Sequence, residues 1–257
     1  MSLRLLSYNI RYGGSGREER LISVIRRCNP DVVVFQEATR PAVIERLAEG
    51  TNMPTWAARA RQSLGFMSRV PVAHHEWHQP RFSRHAFLEI VLGGTEFRIF
   101  GLHLSAVHAA WTERRRVREL RALLDSIARH QEGFHVLAGD FNTLAPGELL
   151  DVRQLPHRLR ALVWLSGGAI RWRTIQLVLD ARYVDGFRVH HPTVPGFTFP
   201  TWNPHVRLDY VFLPEAFVGR LRACNVIAGE DDDVRHASDH LPLLAEIELP
   251  APAAVAH

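Results

Sequence analysis

The chain has 257 residues, 46% hydrophobic and 23% charged, with a formal net charge of +4 and a pI near 9.6. These proportions are those of an ordinary folded domain, and they exclude a disordered or low-complexity chain. No apolar run reaches the about 18 residues a membrane-spanning helix needs, and a charge this small does not mark a nucleic-acid binder by itself.

The first strand pattern, Leu3 to Ile10, carries Asn9 and runs into the Gly-rich turn Gly13 to Gly16. Apolar spacing at Leu21, Ile22, Val24 and Ile25 predicts a helix from about Glu18 to Cys28, ended by Asn29-Pro30. Asp31 to Glu37 is a second strand, and Pro41 to Ala48 a helix. Gly65 to Arg69 is weakly patterned. Ala86 to Leu92 reads as a strand turning at Gly93-Gly94 into Thr95 to Leu104, which ends beside His103. A helix rich in Arg and Leu spans Trp111 to His130, and the strand Phe134 to Asn142 closes the first half.

A helical insertion is expected over about 155–180, broken at Ser166-Gly167-Gly168. Strand signals return near Phe197, Val206 to Leu213 and Ser238 to Leu249, and the tail 251–257 is expected to fray. The alternation of strands and helices, without repeat or long linker, predicts a single α/β domain with mixed sheets over 1–250. Ligands collect at strand ends in such folds. The amino-terminal apolar run is too short for a signal peptide, so a cytoplasmic protein is expected. Cys28 and Cys224 are expected as reduced thiols. All 31 basic residues are arginine, which suits phosphate contacts but reads more as genome composition than as function.

Six greasy segments thus carry polar residues of the kinds that handle metals and phosphate: Asn9, Glu37, His103, Asp140 with Asn142, Asp209, and Asp239 with His240. Burying a carboxylate or imidazole among Val, Leu and Phe is costly unless something pairs it. Six such events suggest that the strand ends meet at one site holding a cation. Glu37 suits a hard cation such as Mg²⁺, though alone it is equally a solvent-facing strand end. Asn9 alone reads as a turn former, and Gly139-Asp140-Phe141-Asn142 alone as an Asx-rich turn. Asp140 could orient or deprotonate a water and Asn142 donate to a phosphate oxygen. His240 could act as general base or stabilise charge on phosphorus, with Asp209 as the carboxylate that orients it. A lone histidine such as His103 is more often a satisfied rim residue and gains weight from its company. No Ser or Cys nucleophile motif, Walker-type loop or HExxH occurs. The inventory suits metal-assisted attack of water on a phosphoester.

These words, SYNI at Ser7 to Ile10, QE at Gln36-Glu37, HL at His103-Leu104, GDFN at Gly139 to Asn142, RLDYVF at Arg207 to Phe212 and SDHLP at Ser238 to Pro242, occur in the order found in one family. The chain resembles the endonuclease/exonuclease/phosphatase superfamily, or deoxyribonuclease-I-like fold. The resemblance implies a four-layered α/β sandwich of two packed mixed sheets flanked by helices, and Mg²⁺- or Mn²⁺-dependent hydrolysis. It implies Glu37 as principal metal ligand with Asn9 its neighbour and Asp239 an outer metal-site carboxylate. It implies Asp140 acting on the water, Asn142 and His103 contacting phosphate, and Asp209 partnering His240. In pancreatic-type nucleases a Glu supports the first His; here Glu76 and Glu89 are the candidates. The abasic-site repair branch has a Tyr where this chain has His103, which argues against that activity.

The substrate is not inherited with the fold. Arginines and tryptophans of the insertion (Arg158, Arg160, Arg171, Arg173, Trp164, Trp172) read as a lid or as a helical hairpin packed on the sandwich edge, the second being preferred. Arg114, Arg115, Arg116, Arg118 and Arg121 read as a solvated helix face rather than a nucleic-acid patch, and Trp202, Asn203 and His205 as a pocket rim. A phosphoester is the expected partner, nucleic acid among the options, and no protein partner is implied. The leading expectation is a phosphodiesterase or nuclease; the alternatives are a phosphatase or sphingomyelinase-like hydrolase, and a non-catalytic binding module.

Overall fold

The computed structural model describes residues 2–80, 83, 85–106, 110–130, 132–148, 172–229 and 232–250. Residues 155–171 of the expected insertion, and the tail 251–257, lie outside the described residues; from 172 on, the insertion is represented by the helix Arg173–Asp180.

In chain order the strands are β1 (Ser2–Asn9), β2 (Val32–Gln36), β3 (Thr55–Ala58), β4 (Gly65–Ser68), β5 (Val72–His78), β6 (Phe87–Leu92), β7 (Arg98–His103), β8 (His135–Asp140), β9 (Tyr183–Asp185), β10 (Asp209–Pro214), β11 (Leu221–Val226) and β12 (Leu243–Glu248). They form two six-stranded sheets, ordered β11-β12-β1-β2-β4-β3 and β5-β6-β7-β8-β10-β9. Each has one parallel pair at its centre, β1 with β2 and β7 with β8, and antiparallel neighbours outside it. Both sheets are therefore mixed.

Side chains alternate across a strand, and that alternation makes the layers. Leu3, Leu5, Val32 and Val34 of the first sheet meet Ile99, Val136, Ala138, Val211 and Leu213 of the second in one buried core between the sheets. The opposite face of the first sheet, with Leu6, Tyr8, Val33 and Phe35, packs on α1 (Glu18–Cys28) and α2 (Pro41–Thr51). The opposite face of the second, with Phe100, Leu102, Leu137 and Phe212, packs on α3 (Ala110–Ile127) and Arg173–Asp180. The result is a four-layered sandwich. Asn29 and Asn52 end α1 and α2 in the left-handed conformation, their N–H groups returning to the last turn. Pro41 opens α2, where its missing N–H costs nothing.

The segment Ser238–Leu249 is a strand only from Leu243, so Asp239 and His240 sit on the lead-in. The signal near Phe197 yields a single bridge, Phe199 to Val206. Four strands carried no usable sequence signal: β3, β5, β9 and β11. β5 is an edge strand whose residues are mostly exposed, so no apolar alternation marks it. On α3, Arg114, Arg118 and Arg121 face outward as expected. Arg116 does not: it is buried, pairing with Glu113 at 2.9 Å and donating to the Ser105 carbonyl. Both cysteines are buried and free. Among the described residues no helix is long and apolar enough to cross a membrane.

Candidate active site

The topology delivers the polar residues to one edge. In the parallel pairs, Asn9 registers with Gln36 and His103 with Asp140, at the carboxyl ends of their strands. β10 runs the other way and starts at Asp209, opposite Asp140. β12 runs opposite to β1, with Leu243 beside Ser7, so the lead-in holding Asp239 and His240 reaches the same edge. Alternation then sets direction. Asn9 shares the face of Leu3 and Leu5, Asp140 that of Val136 and Ala138, His103 that of Ile99, and Asp209 that of Val211 and Leu213. The layer that is aliphatic inside the sandwich thus becomes amide, imidazole and carboxylate at its rim.

Gly139 serves this geometry from within β8, not by turning the chain after it. At its φ of 153° an added Cβ would lie 2.0 Å from the Leu102 carbonyl oxygen. Glu37 leaves the strand alternation through a positive φ of 58°, and Arg11, Tyr12 and Asn142 also have positive φ. Non-glycine residues in this region cost of order 1 kcal/mol or more each, and such residues gather at functional sites.

Asn9 ties two carboxylates together, its Nδ2 donating to Asp140 Oδ2 at 3.1 Å and to Glu37 Oε1 at 3.5 Å. Its Oδ1 accepts from the Arg11 N–H at 3.0 Å. Glu37 Oε2 accepts the Tyr12 N–H at 2.5 Å. Asp140 Oδ1 accepts from the backbone of Asn142 at 2.8 Å, and Asn142 Nδ2 donates to the Leu104 carbonyl at 2.9 Å. His240 Nδ1 pairs with Asp209 Oδ2 at 2.8 Å. The Nε2 atoms of His103 and His240 each lie 3.8 Å from the same oxygen, Asp140 Oδ2. Asp239 is off this centre, with Oδ2 3.3 Å from Arg11 Nε.

Burial alone would push the His240 imidazole down, but Asp209 and Asp140 overcome it and raise its pKa to about 10. His103 has no carboxylate at hydrogen-bond distance, its Nδ1 meeting the Ser63 hydroxyl instead. Burial, with His85 and His240 nearby, lowers it to about 3, so it is neutral. Burial raises Asp140 well above the usual carboxylate range, with Asp209 adding to this and His240 opposing it.

Sequence reasoning placed the eight candidates at one edge but missed their supports. Ser63, in the loop before β4, bonds His103 Nδ1. Glu76 and Glu89 do not support that histidine: Glu76 lies 3.6 Å from His74, and Glu89 binds His78 and Arg98. Thr198 Oγ1 accepts the Leu208 and Asp209 N–H groups, and Phe199 packs against His240 with ring centroids 4.9 Å apart. Isolated loop residues such as these carry no sequence signal. Trp202 is exposed, on the border of a groove of about 580 Å³ shared with Arg11, Arg235 and Ser238.

The residues fit a divalent cation. Among the described residues, the four carboxylates Glu37, Asp140, Asp209 and Asp239 face three cations, Arg11, Arg17 and His240. Asp209 Oδ1 is buried without a hydrogen-bond partner. Asp140, Asp209 and His240 also present donor atoms within 4.8 Å of one another, but His240 Nδ1 is committed to Asp209, so this trio is better suited to orienting an imidazole than to ligating.

Residues 6–240 match the sequence model of the Endonuclease/Exonuclease/phosphatase family. The chain belongs to that family. No curated protein matches the chain. Solved structures do: a 3′ phosphatase, NExo, from Neisseria bound to a product DNA hairpin (18% identity, TM-score 0.70, 96% of this chain and 100% of that one). An AP endonuclease from Archaeoglobus fulgidus matches at 16% identity and TM-score 0.69, over 96% and 100% of the two chains. An endonuclease/exonuclease/phosphatase from Beutenbergia cavernae matches at 21% and 0.70, over 99% of this chain and 73% of that one. At these identities the likeness is one of fold. Membership makes this chain a hydrolase of the endonuclease/exonuclease/phosphatase type.

Proposed function

We propose that the protein is a divalent-metal-dependent phosphodiesterase acting on nucleic acid, by direct attack of water on phosphorus. The observation that carries the reading is the pair of imidazoles facing one carboxylate oxygen, each at 3.8 Å. That spacing is too long for a hydrogen bond, so each Nε2 faces the carboxylate without bonding it and is free to meet a phosphate oxygen or attacking water placed beside the three groups.

Glu37, Asn9 and Asp239 would hold a Mg²⁺ or Mn²⁺ ion, which when bound offsets phosphate charge and lowers the pKa of a bound water. Asp140 takes the proton of the attacking water, and its raised pKa suits a base working near neutrality. A bond forms from water oxygen to phosphorus as the bond to the ester leaving oxygen breaks. His240, held by Asp209 and charged, faces the negative charge that builds on the non-bridging oxygens. This favours charge stabiliser over general base for His240. His103 and Asn142 contact the phosphate.

The nucleic-acid choice is supported by the Neisseria relative of the same fold, a phosphatase bound to a DNA hairpin, and by the exposed Trp202 beside Arg11 at the rim. Plasmid DNA, single-stranded DNA, bis-p-nitrophenyl phosphate and sphingomyelin, each with Mg²⁺ and Mn²⁺, separate the options. Cleavage of DNA is expected. Intact DNA alongside a cleaved lipid or small ester removes the nuclease reading, and no turnover of any substrate removes the hydrolase reading of this site.

A further inference from the structure

Ser63 stands between the two halves of the site. Its Oγ bonds His103 Nδ1 on one side and accepts the Glu37 N–H at 3.3 Å on the other. We infer that Ser63 is a positioning residue that fixes His103 in the tautomer with its proton on Nε2, aimed at the phosphate position beside Asp140.

Two arguments converge. The first is donor arithmetic. A serine hydroxyl has one proton and two acceptor positions. Ser63 already accepts from Glu37, and its own proton needs an acceptor; His103 Nδ1 is the ring atom it meets. An imidazole that accepts at Nδ1 and is neutral carries its proton on Nε2. The second is electrostatic. Nε2 faces Asp140 Oδ2 at 3.8 Å. A proton there points a positive end at the carboxylate, whereas the other tautomer would point a lone pair at it.

His103 is enclosed: 12% of its side chain is exposed, and His85 stacks on its ring at 5.6 Å between centroids. The ring is packed with Nδ1 toward Ser63 and Nε2 toward Asp140. His240 is held by a carboxylate and is charged; His103 is held by a hydroxyl and is neutral. The site thus presents one charged and one neutral N–H donor to the same point. The serine does for His103 what Asp209 does for His240, without adding a charge.

The inference rests on the phosphoester reading for its effect on turnover, but not for its effect on the imidazole. The test begins with ¹⁵N-imidazole NMR of the substrate-free protein, His103 signals being assigned by their loss in His103→Gln. Wild type should show an unprotonated Nδ1 and protonated Nε2. Ser63→Ala should shift His103 toward a mixture of tautomers and lower kcat about 10- to 100-fold, the scale known for partners that orient metal-binding histidines. KM should change less, and Ser63→Thr should restore both tautomer and kcat. A wild-type His103 protonated on Nδ1 overturns the inference, even if Ser63→Ala does not fold. So does a folded Ser63→Ala with the wild-type tautomer and kcat. A protein with no phosphoesterase activity at all would sink the proposed function while leaving the NMR result standing.

Discussion

Two buried polar clusters flank the start of β10, and they are built on opposite rules. One is centred on Arg207, whose side chain is 1% exposed. It donates to Glu148 at 2.7 Å and Asp185 at 2.6 Å and stacks on Tyr210, while Arg188 reaches the same Glu148 oxygen at 2.7 Å. Two guanidinium groups meet two carboxylates. The other cluster begins two residues later at Asp209 and gathers Asp140, Glu37 and Asp239 around His240, Arg11 and Arg17. The first is charge-balanced by its own residues. The second holds one carboxylate more than it holds cations, an excess that a bound cation would offset. Balance marks a structural device; imbalance marks a site.

The contrast is most exposed to test by cutting each cluster. His240→Ala should lower kcat by about 10²- to 10⁴-fold with a folded protein remaining, as read by steady-state kinetics and circular dichroism. A variant with wild-type turnover would break the assignment of the second cluster. Arg207→Met should act on the fold instead, costing about 3–5 kcal/mol by leaving buried Asp185 Oδ2 without its guanidinium and Glu148 with Arg188 alone. Denaturant unfolding reads this, and a loss under about 1 kcal/mol would show that the balanced cluster is not held as described.

Adding Mg²⁺ or Mn²⁺ to metal-free protein should raise its melting temperature. At a metal concentration about 100-fold above Kd the gain is about 2.7 kcal/mol. Glu37→Gln should abolish the rise, and EDTA should abolish activity. Turnover unaffected by EDTA would mean that the carboxylate excess serves something other than a cation.

The last effect concerns pH. His103 has a folded pKa of about 3, below the unfolded value of about 6.5. Below about 6.5 the unfolded chain takes up a proton that the folded chain refuses. The stability tied to the neutral ring is thus fully present above that pH and is lost as pH falls toward 3. In metal-free protein, the stability of wild type relative to His103→Gln should fall with acidification by up to about 1.4 kcal/mol per pH unit. A pH-independent difference would show His103 to be titrating normally.

The parity of the strands made much of this legible in the sequence. Asn9, His103, Asp140 and Asp209 fall on the same alternation as the aliphatics behind them, so a run of Val and Leu ending in Asp already states where that Asp points. The alternation also gave an α/β domain with mixed sheets, whereas the four layers followed from the resemblance to the family. Ser63 was not, because its meaning lies in a contact with His103, forty residues away in the chain. Nor was the reach of Glu37, which depends on a positive φ that no residue preference announces. β5 escaped notice because an edge strand with exposed histidines has no apolar face to betray it.

The central claim, that this carboxylate-rich edge is built for phosphoester hydrolysis and not for stability, is tested most directly in Asp140→Asn. Removing a buried charge that Asp209 opposes should leave the melting temperature of metal-free protein unchanged or higher, while hydrolysis of bis-p-nitrophenyl phosphate with Mn²⁺ falls about 100-fold or more. A folded Asp140→Asn that hydrolyses the ester at the wild-type rate would contradict the account.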